Sequence, residues 1–170
     1  MRMTRKALRV FGGREGSFLV ESIVALSLVV VGILGIVVLL TRSLGLTANV
    51  VQRAVATYLA AEGIEVTKNI IDTAIAKGGG WSSISSIPSA FEVEDGSASP
   101  AALSGDARPL RFNPADGIYS YGGVQETPFR RTVTASVAGD KATVNAVVKW
   151  SVRGTDETLN LEDHFWNWRQ

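Results

Sequence analysis

From Gly16 to Leu40 the chain reads G-S-F-L-V-E-S-I-V-A-L-S-L-V-V-V-G-I-L-G-I-V-V-L-L, apolar or small from Phe18 onward except for one acid, Glu21. At about 1.5 Å of rise per residue, Phe18 to Leu40 span roughly 35 Å as a helix, against a hydrocarbon core of about 30 Å. The stretch therefore predicts a membrane-spanning helix. Whatever else the chain builds must be made from the residues that follow it.

The flanks give the segment a direction. Arg2, Arg5, Lys6, Arg9 and Arg14 precede it against the single acid Glu15. This bias places the N-terminus in the cytoplasm and the residues after Leu40 outside. A secretory signal would have an apolar core of about 7 to 15 residues followed by a small-residue cleavage site. Here the small residue, Gly16, comes before the apolar run, and the acid follows five positions later. A charged group inside a membrane helix costs on the order of 2.5 to 3.5 kcal/mol at mid-helix and less near an end, so Glu21 calls for a function.

A basic leader, then Gly16, Ser17, Phe18, two apolar residues, Glu21 and a long apolar helix resembles the processing signal of type IV prepilins and of type II secretion pseudopilins. The resemblance implies that a prepilin peptidase cuts between Gly16 and Ser17 and methylates the new N-terminus at Ser17. It also implies that Phe18 and Glu21 serve subunit assembly. Phe most often follows the glycine directly in that family; here Ser17 intervenes. Cleavage would create an α-amino group one helical turn before Glu21. Glu21 of one subunit could then pair with the Ser17 amine of its neighbour, two buried charges offsetting each other and fixing register. An ordinary anchor whose Glu21 snorkels to the interface is the other reading. Gly12 and Gly13 are poorer cut sites, because Ser17 and Phe18, not an acid, lie five residues beyond them.

Beyond Leu40 the helical pattern continues to about Lys77. Leu44, Ala48, Val51, Val55, Leu59, Val66 and Ile70 share one face, while Arg42, Arg53, Thr57 and Lys68 point elsewhere. No proline occurs before Pro88, so one helix of some 60 residues is expected. Glu62 interrupts the stripe and Gly63 weakens it by up to about 1 kcal/mol, which predicts a bend or a polar contact there. Residues 54 to 70, with their E-G-I-E, also resemble the post-membrane helix of minor pilins and pseudopilins, and equally suit any good helix former packed on a sheet. Gly32, Gly35 and Gly45 fit close packing or simple tolerance in a membrane helix, or points where the helix melts on assembly, as related pilin helices do.

Lys77-Gly78-Gly79-Gly80 ends the helix. Residues 78 to 128 are rich in Gly, Ser, Pro, Ala and Asp, with short apolar runs at Phe91 to Val93, Leu110 to Phe112 and Ile118 to Tyr121, and are expected to form a variable, loop-rich region. Asn113 to Gly117, N-P-A-D-G, predicts a turn between two short strands. After Pro128 the period changes to 2. Val133, Ala135 and Val137, then Val144, Ala146, Val148, Trp150 and Val152, alternate with polar residues across Ala138-Gly139-Asp140-Lys141. A turn at Arg153 to Asp156 leads to a third strand, Thr158 through Asp163. One apolar face of this meander needs a cover, and the outer half of the helix supplies a matching stripe. The segments 127 to 133 and F-W-N-W-R-Q also resemble C-terminal strands of minor pseudopilins.

The expected fold class is α+β and pilin-like. A cytoplasmic leader covers 1–16, a transmembrane or filament-core helix 17–40, an amphipathic helix half 41–77, a variable region 78–128 and an antiparallel meander 129–170. At 170 residues, with the leader and membrane helix set aside, roughly 130 residues remain outside for one small domain. A formal net charge of +1, with the basic residues concentrated in the leader, gives no basis for nucleic-acid binding. There is no cysteine, so the disulfide that closes the C-terminal loop of many pilins is excluded.

No enzyme, cofactor or metal site is expected. His164 is the only histidine, which excludes a two-histidine metal site, and no nucleophile elbow, phosphate loop or dinucleotide fingerprint occurs. Asp95, Asp106 and Asp116 lack the alternating spacing of a calcium loop. His164 is expected to pack at a strand end, and Trp166 and Trp168 to seal the sheet or contact a partner. The resemblance implies a single-pass inner-membrane subunit, with the C-terminal domain extracytoplasmic, of a type IV pilus or type II secretion pseudopilus. Its irregular middle suggests a minor subunit. The implied partners are prepilin peptidase, other pilin or pseudopilin subunits, the assembly platform with its ATPase, and membrane lipid before assembly. A single-pass protein with a small extracytoplasmic binding or adhesive domain is the alternative, and a membrane-anchored enzyme would need a clustered polar site.

Overall fold

The computed structural model describes residues 14–167, with side chains from Gly16. The leader through Gly13, and Trp168 to Gln170, lie outside the described residues. The chain divides into two compact units at Thr47 and Ala48. Helix α1, Arg14–Ala74, runs through both with 61 residues.

In the first unit every residue from Gly16 to Leu44 is exposed, Phe18 by 70%. Its most apolar 18-residue window has a mean hydropathy of 3.2 and none of it is buried. By length and composition this helix can cross a membrane, as its sequence predicts. The hydroxyls of Ser22, Ser27 and Thr41 donate to the carbonyls of Phe18, Ile23 and Val37, at 2.8, 2.7 and 2.9 Å. These three hydroxyls thus bond their own helix, as an apolar surround requires.

The second unit places the remainder of α1 against a seven-stranded antiparallel sheet. The strands are β1, Ala90–Glu92; β2, Ala101–Ala102; β3, Pro109–Asn113; β4, Ile118–Ser120; β5, Gln125–Ala138; β6, Lys141–Val152; and β7, Thr155–Trp166. The long strands β5, β6 and β7 form a meander in which Val133 opposes Ala146 and Ala146 opposes Leu161. On the far edge of β5, β1 pairs at Thr134 and β3 at Arg130, and β2 and β4 extend them outward. Alternation alone predicts three strands. Of the other four, β1, β3 and β4 come from the three short apolar runs of residues 78–128 and β2 is the pair Ala101–Ala102, so this region is part of the sheet rather than a connection outside it.

The buried face of α1 also differs from the expected stripe. Leu59, Val66 and Ile70 are buried and Val55 is half-buried, but Leu44 and Val51 are 72% and 56% exposed and Ala48 is exposed too. The face that meets the sheet is Ala56, Leu59, Ala60, Gly63, Ile64, Thr67 and Ile71. Small residues hold its centre, so the helix axis lies close to the strands. It packs on Val133, Val144, Ala146 and Val148, all fully buried, with Phe91, Leu110 and Trp150 at the margins.

The polar contact expected at Glu62 and Gly63 is present, and its partner is Arg131 of β5. Arg131 is 0% exposed on the inward face beside Val133. Its Nη1 donates to the Leu59 carbonyl at 2.7 Å and lies 3.2 Å from Glu62 Oε1, and its Nη2 donates to the Val93 carbonyl just beyond β1. A side chain at position 63 would put its Cβ 3.0 Å from Arg131 Cδ and 3.2 Å from Val133 Cγ2, so glycine is what admits the arginine. The Thr67 hydroxyl donates to the Gly63 carbonyl at 2.7 Å, filling the turn below.

The helix ends where the glycine run predicts. After Ala74 a π turn, Ile75–Gly79, closes with Gly78 at a φ of 88°, and a 3-10 turn, Trp81–Ser86, follows. N-P-A-D-G forms the expected turn between β3 and β4. Asn113 Nδ2 donates to Asp116 Oδ2 at 2.7 Å, and the Gly117 amide donates to the Asn113 carbonyl at 2.8 Å.

Candidate functional site

Gly16, Ser17, Phe18 and Glu21 all lie within α1. Gly16, Ser17, Val20, Glu21, Val24 and Ala25 line a shallow groove down one side of the helix, at the three- and four-residue spacing that stacks side chains on a single face. Small residues at 16, 17 and 25 leave the Glu21 carboxylate standing in an otherwise apolar channel. The Gly16–Ser17 peptide is part of α1 in the described residues.

The structure does not gather Asp95, Asp106 and Asp116. Asp116 belongs to the β3–β4 turn, where its Oδ1 accepts from the Ile118 amide at 3.0 Å. No group of three His, Asp or Glu residues able to hold a metal forms among the described residues. The nearby glutamates are internal ties instead. Glu92, buried, accepts from the Arg108 amide at 2.7 Å and from its Nε at 2.7 Å, and Glu94 accepts from the Tyr121 amide at 2.8 Å. The Arg108 guanidinium sits 4.5 Å over the Tyr121 ring.

Burial pushes the Tyr121 phenol up to about 12, against the pull of Arg131 nearby. The folded state holds this proton more tightly than the unfolded chain, whose tyrosine titrates near 10. The resulting stability is fully present below about pH 10 and is lost as pH rises through about 12. Tyr121→Phe, having no proton to lose, should flatten the fall in denaturant midpoint across that window. Equal slopes in the two proteins would remove Tyr121 from the account.

His164 does not pack at the strand end, and Trp166 does not seal the sheet. Both lie on the outer face of β7, Trp166 with 61% exposed and Lys141 Nζ 5.8 Å from its ring. His164 Nε2 lies 3.3 Å from Glu162 Oε1, and its Nδ1 is 3.3 Å from the Thr143 hydroxyl opposite. Phe165, one residue on, turns inward to pack on the core. Between the last turns of α1 and the end of β7 a cleft of about 700 Å³ opens, lined by Ile71, Ile75, Trp81, Phe165 and Trp166 among others. The Trp81 indole is fixed by a 2.8 Å hydrogen bond to the Gly139 carbonyl. Neither Arg131 nor this cleft stands out in the sequence. For Arg131 a signal existed, since its parity with Val133 puts it on the inward face of the strand.

Comparison with protein-family models, with curated proteins and with solved structures returns no match for this chain.

Proposed function

We propose that this chain is a pilin-like structural subunit. It is inserted with its N-terminus in the cytoplasm, cut by a prepilin peptidase after Gly16, methylated at Ser17 and packed through its apolar helix into a type IV pilus or type II secretion pseudopilus, as a minor subunit. The observation that carries this reading is the placement of Gly16, Ser17, Phe18 and Glu21 at the head of an apolar helix with no side chain buried from Gly16 to Leu44. Such a surface needs lipid or other helices around it. The α+β layout, apolar helix first and antiparallel sheet after, agrees with the same reading.

The test is intact mass and N-terminal sequencing of the chain taken from membranes with and without prepilin peptidase. A start at methylated Ser17 that depends on the peptidase is the expected result. An intact Met1 leader in both samples would overturn the proposal. The cleft beside β7 would then favour the other reading, a single-pass protein carrying a small extracytoplasmic binding domain.

A further inference from the structure

β7 is an edge strand twelve residues long, and β6 is its one ladder partner among the described residues. The β6–β7 hairpin turns on two residues, Arg153 at a φ of 51° and Gly154 at 82°, with Val152 opposite Thr155. In such a hairpin the closing pair is hydrogen-bonded and alternate pairs follow it. Odd-numbered residues of β7 therefore bond to β6, and the amides and carbonyls of even residues 156 to 166 face the free edge. One of these, the His164 amide, is occupied by the Asp163 carboxylate at 2.8 Å.

The edge is strongly one-signed. Asp156, Glu157, Glu162 and Asp163 are all exposed, and no Lys or Arg lies between Thr155 and Trp166. Below it runs a depression of about 350 Å³, floored by Ala61, Ile64 and Leu161 and rimmed by Glu65 and Lys68. Lys68 is already 3.7 Å from Asp72 and also lines the larger cleft at the far end of β7. Unpaired backbone, an apolar floor and an aromatic cleft thus follow one another along one strand, under a net negative charge. Two copies of this edge would repel one another, so self-pairing is disfavoured.

We infer that the free edge of β7 is a docking site for an extended, basic segment of another protein chain. The segment adds as a strand, with its apolar residues over Ile64 and Leu161, its Lys or Arg residues against the four acids, and a bulky apolar residue in the cleft beside Trp81 and Phe165. This site is independent of the filament reading, because it belongs wholly to the second unit.

The probe is a fluorescent nine-residue peptide alternating lysine and valine and ending in tryptophan, titrated into the full chain in an uncharged detergent, with empty micelles as the blank. Binding should be saturable and should weaken with salt. It should fall by roughly tenfold or more with Asn160→Pro, whose lost amide faces the free edge and not β6. The same peptide N-methylated at alternate residues should bind as poorly to the unaltered protein, which separates docking from any misfolding of the variant. Amide exchange at residues 158 and 160 should slow in the complex. No binding at low salt, equal binding of the N-methylated peptide, or equal binding of a peptide with glutamate in place of lysine would overturn the inference.

Discussion

Replacing Arg131 by alanine is expected to destabilise the second unit by about 3 to 5 kcal/mol, more than any other single truncation in its core. The guanidinium is fully buried and holds three things at once: the Leu59 carbonyl of α1, the Val93 carbonyl beyond β1, and the carboxylate of Glu62. Removing it leaves a cavity, two carbonyls short of a donor and an acid without its counter-charge. The loss should not be ascribed to the ion pair alone. Glu62 is 31% exposed and its Oε1 meets Nη1 at ion-pair distance without hydrogen-bond alignment, so the carbonyl bonds carry more of the effect. Arg131→Met should accordingly cost clearly less than Arg131→Ala, because it fills the space beside Gly63. Pairing it with Glu62→Leu should recover most of the remainder. Denaturant titration followed by near-ultraviolet dichroism, run as a double-mutant cycle, reads all of these. A loss below about 1 kcal/mol for Arg131→Ala would show that the arginine is a passenger in a core held by its neighbours.

That arginine also marks where the sequence stops being legible. Glu62 and Gly63 announce a polar contact because each violates a local rule, an acid within an apolar stripe and a glycine within a helix. Their partner, Arg131, lies on another element far along the chain, and no periodicity connects the two. The same division runs through the sheet. β5 and β6 are legible because Val133 and Val144 open long alternating runs with a buried face. β3 and β4 are legible only through the N-P-A-D-G turn that joins them, while β1 and β2, three residues or fewer, show no period and exist because β5 offers β1 an edge and β1 offers one to β2. Leu44 and Val51 stand exposed for the converse reason: helical spacing says which residues share a face, but not how far along the helix the sheet extends. Gly16 to Glu21 is legible because its whole signal is local. The groove beside β7 is not, since an edge becomes a site only through what stands next to it.

Glu21→Val is expected to leave the chain in the membrane, cut after Gly16, yet nearly absent from assembled filaments. Removing a charge from the head of an apolar helix lowers the cost of insertion, by less than the roughly 2.5 to 3.5 kcal/mol of a mid-helix acid. An anchor would therefore be improved by the change. A subunit would be harmed, because the α-amino group created at Ser17 is cationic near neutral pH and would enter the helix bundle without the neighbouring carboxylate that offsets it. Leaving one member of such a pair buried alone costs several kcal/mol, enough for assembly to fail while folding of the second unit is untouched. Glu21→Asp, which keeps the charge on a shorter side chain, should fall between the two. The measurement is the ratio of sheared-filament to membrane-bound protein for each variant, with N-terminal sequencing to confirm processing. Normal incorporation of Glu21→Val would return Glu21 to the role of a residue that snorkels to the interface. Loss of incorporation without loss of cleavage would assign it to contacts between subunits.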